Sequence, residues 1–203
     1  MRRTKEDAEL TRQAVLDAAL QVMSRRGYAG TRLEDIARAA KVTRGAIYHH
    51  FPGKPELFAA LVDDATEVGN RAVARAIAEG GDFLGTAERI LIYTIDLMAQ
   101  DGRFRGATAL LLFSTHDSPE LKPLRRLREK QGLAQLDQII GFFNLGIQQG
   151  AVRPDLDPAV AARAFLAYQN GLVLLWLSSP GIIDAKRHAA GLAQTFVRGI
   201  AQP

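Results

Sequence analysis

In the segment Thr31 to Phe51, TRLEDIARAAKVTRGAIYHHF, Arg44 and Tyr48 stand four residues apart and His49 follows directly. On a helix that spacing brings Arg44 and Tyr48 to one face, while apolar Ile47 falls on the other side. A displayed arginine can donate two hydrogen bonds to guanine O6 and N7, which is worth about 1–3 kcal/mol against a wrong base. Thr43 and His49 complete the polar side, and Gly45 and Ala46 leave room for the backbone to approach a groove. Arg32 and Lys54 stand where the neighbouring helices begin. There a basic side chain and free backbone N–H groups can both meet phosphate. The candidate DNA-contacting set is therefore Arg32, Thr43, Arg44, Gly45, Ala46, Tyr48, His49 and Lys54. The plainer alternative is a three-helix packing whose polar residues merely face water.

These side chains need three short helices to hold them. The first is expected over 11–26, with Ala14, Val15, Ala18, Ala19 and Val22 at helical spacing and Gly27 capping its end. Thr31 and Glu34 have the spacing of a capping box that starts the second helix, whose buried stripe is Leu33, Ile36, Ala37 and Ala40. Lys41 and Val42 form a turn, Thr43 is an N-cap, and Ile47 and Phe51 point back to close the core. This is the layout of a helix-turn-helix.

Pro52 and Gly53 end the third helix, and Pro55 suits the first turn of a fourth that runs to Gly80. Further helices are expected over 84–100, 103–115, 119–149 (starting at Asp117-Ser118-Pro119), 158–178 and 183–200. Gly80-Gly81-Asp82, the loop 153–158 and Ser178-Ser179-Pro180-Gly181 punctuate them. No stretch has the alternation of a strand. The fold class is all-α: an N-terminal three-helix DNA-binding domain over 1–54 and a helical ligand-binding and dimerisation domain over 55–203.

Charge follows the same division. Residues 1–54 hold eleven basic against six acidic side chains, among them Arg2 and Arg3, whereas the remaining 149 residues hold fifteen against sixteen. The basic excess of the chain thus sits in its first quarter, where phosphate would be met. With 203 residues, 47% of them hydrophobic, the composition is that of a globular protein. There is no cysteine, hence no disulfide, thiolate metal site or thiol nucleophile. The longest apolar run, Leu172 to Leu177, is short of the roughly 20 residues a spanning helix needs. MRRTKEDAEL lacks the apolar stretch of a signal peptide. A cytoplasmic protein without membrane attachment is expected.

The residues for catalysis are missing too. No serine sits in G-x-S-x-G, and there is no phosphate-binding loop. Adjacent His49 and His50 point about 100° apart on a helix and cannot share a metal. His116 and His188 are isolated, and Asp63-Asp64 fits a solvated helix face. No enzyme activity, metal or cofactor is expected. A helical protein-binding adaptor is the rival class.

The order T-x-x-E, then V-T-R-G-A-I-Y-H-H-F, then a lysine three residues later resembles the DNA-binding domain of the TetR family of bacterial repressors. The matching residues include Thr11-Arg12, Ala18-Ala19, Gly27-Tyr28, Thr31, Ile36-Ala37, Ala40 and Val42-Thr43. They continue with Gly45, Ile47-Tyr48, His50-Phe51, Lys54 and Leu57. Arg3 to Ala8 and Val42 to Tyr48 are most similar to the AcrR-type subgroup, which controls multidrug efflux pumps. At position 49 many relatives carry tryptophan, where this chain has histidine. Beyond residue 60 only Ala167-Tyr168, Gly171-Leu172 and Trp176-Leu177 are similar. The resemblance implies an obligate homodimer on a palindromic double-stranded DNA operator, released when a small molecule binds. A DNA-binding activator of the same fold is the alternative within the family.

The last two helices carry more apolar surface than one chain readily covers: Phe165, Leu172, Leu174, Leu175 and Trp176, then Ala189, Leu192, Ala193, Phe196, Val197 and Ile200. In the family the two pair with their twins as a dimer interface, which implies that role here. Polar residues within apolar helices need partners if buried, and a ligand can supply one. Thr94, Thr108, Gln135, Asn144, Gln169 and Asn170 are such residues. With Ile90, Leu112, Ile139, Phe143, Val173 and Trp176 they suggest a greasy cavity for a hydrophobic small-molecule effector. The candidate ligand set is Ile90, Thr94, Thr108, Leu112, Gln135, Ile139, Phe143, Gln169, Asn170, Val173 and Trp176.

Overall fold

A computed structural model describes residues 5–114, 118–179 and 181–202. Expectations resting on Arg2, Arg3, Thr4, His116, Asp117 and Pro180 lie outside the described residues. Among those described, the helices are α1 (Lys5–Arg26), α2 (Leu33–Ala39), α3 (Arg44–His50), α4 (Lys54–Ala78) and α5 (Phe83–Gln100). After them come α6 (Gly102–Ser114), α7 (Lys122–Gln148), α8 (Pro158–Ser178) and α9 (Ala185–Ile200). No strand occurs among the described residues; Val152 and Ala201 form an isolated bridge pair.

The chain packs as two compact units that are not its linear halves. One comprises Met1–Glu67 with Arg103–Arg126, the other Val68–Gly102 with Leu127–Pro203. A sequence cut at residue 54 misses the return of 103–126 to the first unit, because that return rests on packing across a long gap in sequence. Ala107 and Leu110 of α6, with Leu121 and Leu124, enter the same core as Leu16, Ile36, Ile47 and Phe58.

Three boundaries differ from expectation for physical reasons. Helix α1 begins at Lys5 rather than Thr11; Glu6 and Asp7 lie in its first turn, where acidic groups suit the helix dipole. The Thr31–Glu34 capping box does not form. Thr31 Oγ1 donates instead to the Gly27 carbonyl at 2.7 Å, Arg32 occupies the N-cap without a side-chain cap bond, and Glu34 turns to α3. Ahead of α7, Pro119–Leu121 makes a 3₁₀ turn, so the regular helix starts at Lys122. The expected cap at Thr43 is present, and Asp157 starts α8 by accepting from the N–H groups of Ala159 and Val160.

In the second unit α9 packs chiefly on α5. A run of aromatic rings, Phe83, Phe142, Phe143, Phe165 and Phe196, links α5, α7, α8 and α9, with successive centroids 4.2–6.1 Å apart. An ideal Cβ at Gly146 would come within 2.7 Å of the Phe83 ring, so α7 can meet Phe83 this closely only with glycine there. Asp82 starts α5 by accepting from Gly85 N at 2.7 Å, and Arg89 donates to the Ala76 and Gly80 carbonyls at the end of α4. Helix α8 is long and apolar enough to cross a membrane by length and composition. It nevertheless places Ala161, Ala162 and Phe165 in this core and interrupts its apolar run with Arg163, Gln169 and Asn170.

Candidate nucleic-acid interface

Helix α3 has only seven residues, too short to be stable alone. Its position depends on contacts. Thr43, extended at φ −77° and ψ 155°, accepts from Ala46 N at 3.1 Å through its hydroxyl and so starts the helix. Ile47 is fully buried and Phe51 nearly so, in the core that also takes Leu33, Ile36 and Ala37 of α2 and Val15, Leu16, Ala19 and Met23 of α1. One buried stripe thereby fixes the direction of the opposite face. Between α2 and α3 the chain turns at Lys41, whose φ of +55° is left-handed; Val42 N closes the turn on the Ala37 carbonyl at 3.0 Å. The sequence marks this turn but not its backbone sign, since lysine rarely adopts it.

The outward face matches the expected set in exposure. Thr43, Arg44, Gly45 and His49 are exposed, Tyr48 is 44% exposed, and Ala46 is half-buried. Nothing but the Thr43 hydroxyl, at 3.8 Å, approaches the space a Cβ on Gly45 would fill. Arg32 is exposed at the head of α2. Arg44 is not a free side chain: its Nη2 donates to the Tyr48 hydroxyl at 2.9 Å, its guanidinium lies 5.3 Å over the Tyr48 ring, and Nη1 is 2.5 Å from Glu34 Oε1. The Tyr48 hydrogen bond first, and then Glu34, hold the Arg44 guanidinium above its already high pKa.

Lys54, expected to face phosphate, is held by its neighbours in the structure. Its ammonium donates to the Tyr28 carbonyl at 3.1 Å and the Thr31 carbonyl at 3.3 Å, and lies 4.3 Å over the Tyr28 ring. Glu120 is 3.6 Å away, and the Lys54 side chain is 20% exposed. The amine expected to face phosphate is thus drawn into the turn between α1 and α2. Burial, followed by the Glu120 carboxylate, pushes the Tyr28 phenol well above its ordinary value. Sequence reasoning missed Glu34 and Glu120. Glu34 has the spacing of a capping box, and Glu120 is 66 residues from Lys54 in the chain.

The ligand set is divided between the two units. Thr108 and Leu112 belong to the first unit, and Leu112 is 40% exposed. The other nine belong to the second, where Gln135 and Asn170 face solvent, as Asn144 does. Gln169 Nε2 donates to Thr94 Oγ1 at 2.7 Å, and Thr94 in turn donates to the Ile90 carbonyl, so these polar groups satisfy one another. Phe143 and Ile90 are in the core, with Ile139 against it; Trp176 packs on a smaller cluster around Ile95 and Leu172, and Val173 is half-buried. A cleft of about 550 Å³ in this unit is lined by none of the eleven; Arg75, Tyr93, Asp96 and Gln100 share its wall with Ala72 and Leu97, so its lining is mixed.

The apolar stripe of α9 also serves the chain itself: Ala189, Ala193, Val197 and Ile200 are buried, and the Phe196 ring meets Phe165 edge-on and Tyr168 at a tilt. Tyr168 donates its hydroxyl to the Leu192 carbonyl at 2.7 Å. Apolar surface left over on the last two helices and their loop is at Val160, Leu174, Leu175 and Ile182.

Residues 15–61, spanning the core of α1 to the start of α4, match the bacterial regulatory proteins of the tetR family. Over 185 residues the chain is 34% identical to the HTH-type transcriptional regulator TtgR of Pseudomonas putida, covering 91% of this chain and 88% of that one. The chain belongs to the TetR family. It is an AcrR-like, DNA-binding transcriptional regulator rather than an enzyme. Among solved structures it is similar to NalD, the secondary repressor of the MexAB-OprM multidrug efflux pump in Pseudomonas aeruginosa. The TM-score is 0.81 at 27% identity, covering 98% of this chain and 99% of NalD. It is also similar to the SmeT–triclosan complex, with a TM-score of 0.80 at 26% identity over 95% of this chain and 92% of that one. Family membership removes the adaptor reading.

Proposed function

We propose that this TetR-family regulator is a cytoplasmic homodimeric repressor of a drug-efflux system, released from a palindromic operator by a hydrophobic small molecule. The observation that carries the reading is the exposed Arg44–Tyr48 face of α3 on a fully buried Ile47. In this account two such helices enter successive major grooves roughly 34 Å apart. Arg44 reads a guanine, and Tyr48, His49, Thr43 and the backbone at Gly45 and Ala46 make the remaining groove and phosphate contacts, with Arg32 at the phosphates. Lys54 contributes by holding the turn before α2. Functionally, residues 1–54 read DNA and 55–203 bind effector and partner.

The homodimer reading rests on α8 and α9. Val160, Leu174 and Leu175 remain exposed, and Gly171, Gly191 and Gly199 have open space where a Cβ would stand, which permits close helix approach. The effector reading places a ligand beside Thr94 and Gln169, whose mutual hydrogen bond it would share or replace, with Ile90, Ile139 and Phe143 in the same unit. An effector there would act by preferring a dimer state of lower operator affinity. The bound triclosan in SmeT and the efflux pump governed by NalD supply the chemical class and the regulated process.

Selection from random duplex DNA with the full chain tests this, repeated with triclosan and a panel of hydrophobic compounds. An inverted repeat whose capture falls with at least one compound is expected. No enriched sequence, or a monomer by sedimentation at micromolar concentration, overturns the reading.

A further inference from the structure

With Arg44 assigned to a base, Glu34 on α2 has no role in the account. Its carboxylate nevertheless holds the reading side chain at 2.5 Å, with both groups about half exposed. Arg44 meets three restraints at once: Glu34 on one Nη, the Tyr48 hydroxyl on the other, and the Tyr48 ring beneath the guanidinium. Tyr48 takes one of the five N–H donors and Glu34 pairs with the other Nη by charge, which leaves enough donors for a two-bond contact with guanine O6 and N7.

A long side chain that is already held loses less rotamer freedom on binding than one that is free. The restraint is also directional. An arginine that leaves Glu34 to seek a phosphate abandons a carboxylate at a surface facing polyanionic DNA, and that arrangement is repelled. Staying on Glu34 keeps the guanidinium aimed at base edges. As an exposed ion pair it adds little to fold stability, so variants at Glu34 should fold.

Resting on the reading of Arg44 as the guanine contact, we propose that Glu34 is a specificity-determining positioning residue, buttressing Arg44 so that α2 as well as α3 sets the preferred base. The test uses the full chain with Glu34→Ala, Glu34→Gln, Arg44→Ala and the double variant Glu34→Ala/Arg44→Ala. Each is put through selection from random duplex DNA and competition titration, with circular dichroism to confirm folding. Arg44→Ala is expected to lose preference at one base pair of each half-site. Glu34→Ala should lower preference at that same pair by about fivefold, the lower end for such a contact, and leave other positions unchanged. Glu34→Gln, still an acceptor, should restore part of it, and Glu34→Ala should add nothing in the Arg44→Ala background.

If Glu34→Ala tightens every duplex equally with sequence preference intact, Glu34 acts only as a bulk negative charge and the proposal is overturned. If Arg44→Ala leaves every preference intact, the reading of Arg44 fails and this inference with it. If Arg44→Ala relaxes one pair and Glu34→Ala relaxes none, the inference alone fails.

Discussion

Lys54→Met removes one ammonium and keeps most of its apolar stem, which isolates what the charge does. In the structure the ammonium bonds two backbone carbonyls and covers the Tyr28 ring. Hydrogen bonds to a charged group contribute about 1.5–3 kcal/mol each, and a cation over an aromatic face roughly 0.5–2 kcal/mol. The side chain is 20% exposed, so water can reach the freed carbonyls and recover part of this. A net loss of about 2–4 kcal/mol follows. For a chain of this size that lowers the melting temperature by about 4–16 °C, read by circular dichroism. Operator binding across a salt series separates the alternatives, because each phosphate contact contributes about 0.9 to the slope of log affinity against log salt. The expected result is a lower melting temperature, weaker binding and an unchanged slope. An unchanged melting temperature with a slope reduced by about 0.9 would refute this account of Lys54.

Substitutions at three other positions probe the local geometry. Gly146→Ala drives a methyl group into the Phe83 ring and should destabilise the chain by about 1–3 kcal/mol in thermal unfolding; a neutral result would show that α7 shifts freely. Lys41→Gly relieves a left-handed lysine, costing about 1–2 kcal/mol, against a smaller entropy loss for glycine in the unfolded chain. It should raise stability by roughly 0.5–1 kcal/mol in denaturant titration. Thr43→Ala removes the cap on Ala46 N and should cost about 1 kcal/mol, whereas Thr43→Ser should retain most of it.

The first unit was largely legible because its signals are local. Gly27, Thr43 and Pro55 punctuate short helices, and Ile36, Ile47 and Phe51 announce their buried side by spacing alone. What escaped was tertiary. Nothing in the sequence tells that Glu34 prefers Arg44 to a capping box, that Lys54 finds carbonyls rather than solvent, or that Leu121 returns to the core of Leu16. In the second unit helical period alone left the direction of each apolar face open. The stripe of Ala189, Ala193 and Val197 fits either a partner or the chain's own α5, and it packs within the chain. Polar residues in apolar helices were equally ambiguous: Gln169 meets Thr94, whereas Gln135 and Asn170 face water.

The central claim is that the exposed face of α3 reads duplex DNA. Its most direct test is competition binding of Tyr48→Ala against the unaltered chain, using the selected duplex and a scrambled one of equal length, with melting temperature as the control for folding. The expected result is at least a tenfold loss in the ratio of selected to scrambled affinity, equivalent to about 1.4 kcal/mol, with melting unchanged within a few degrees. An unchanged ratio in a folded Tyr48→Ala protein would contradict it.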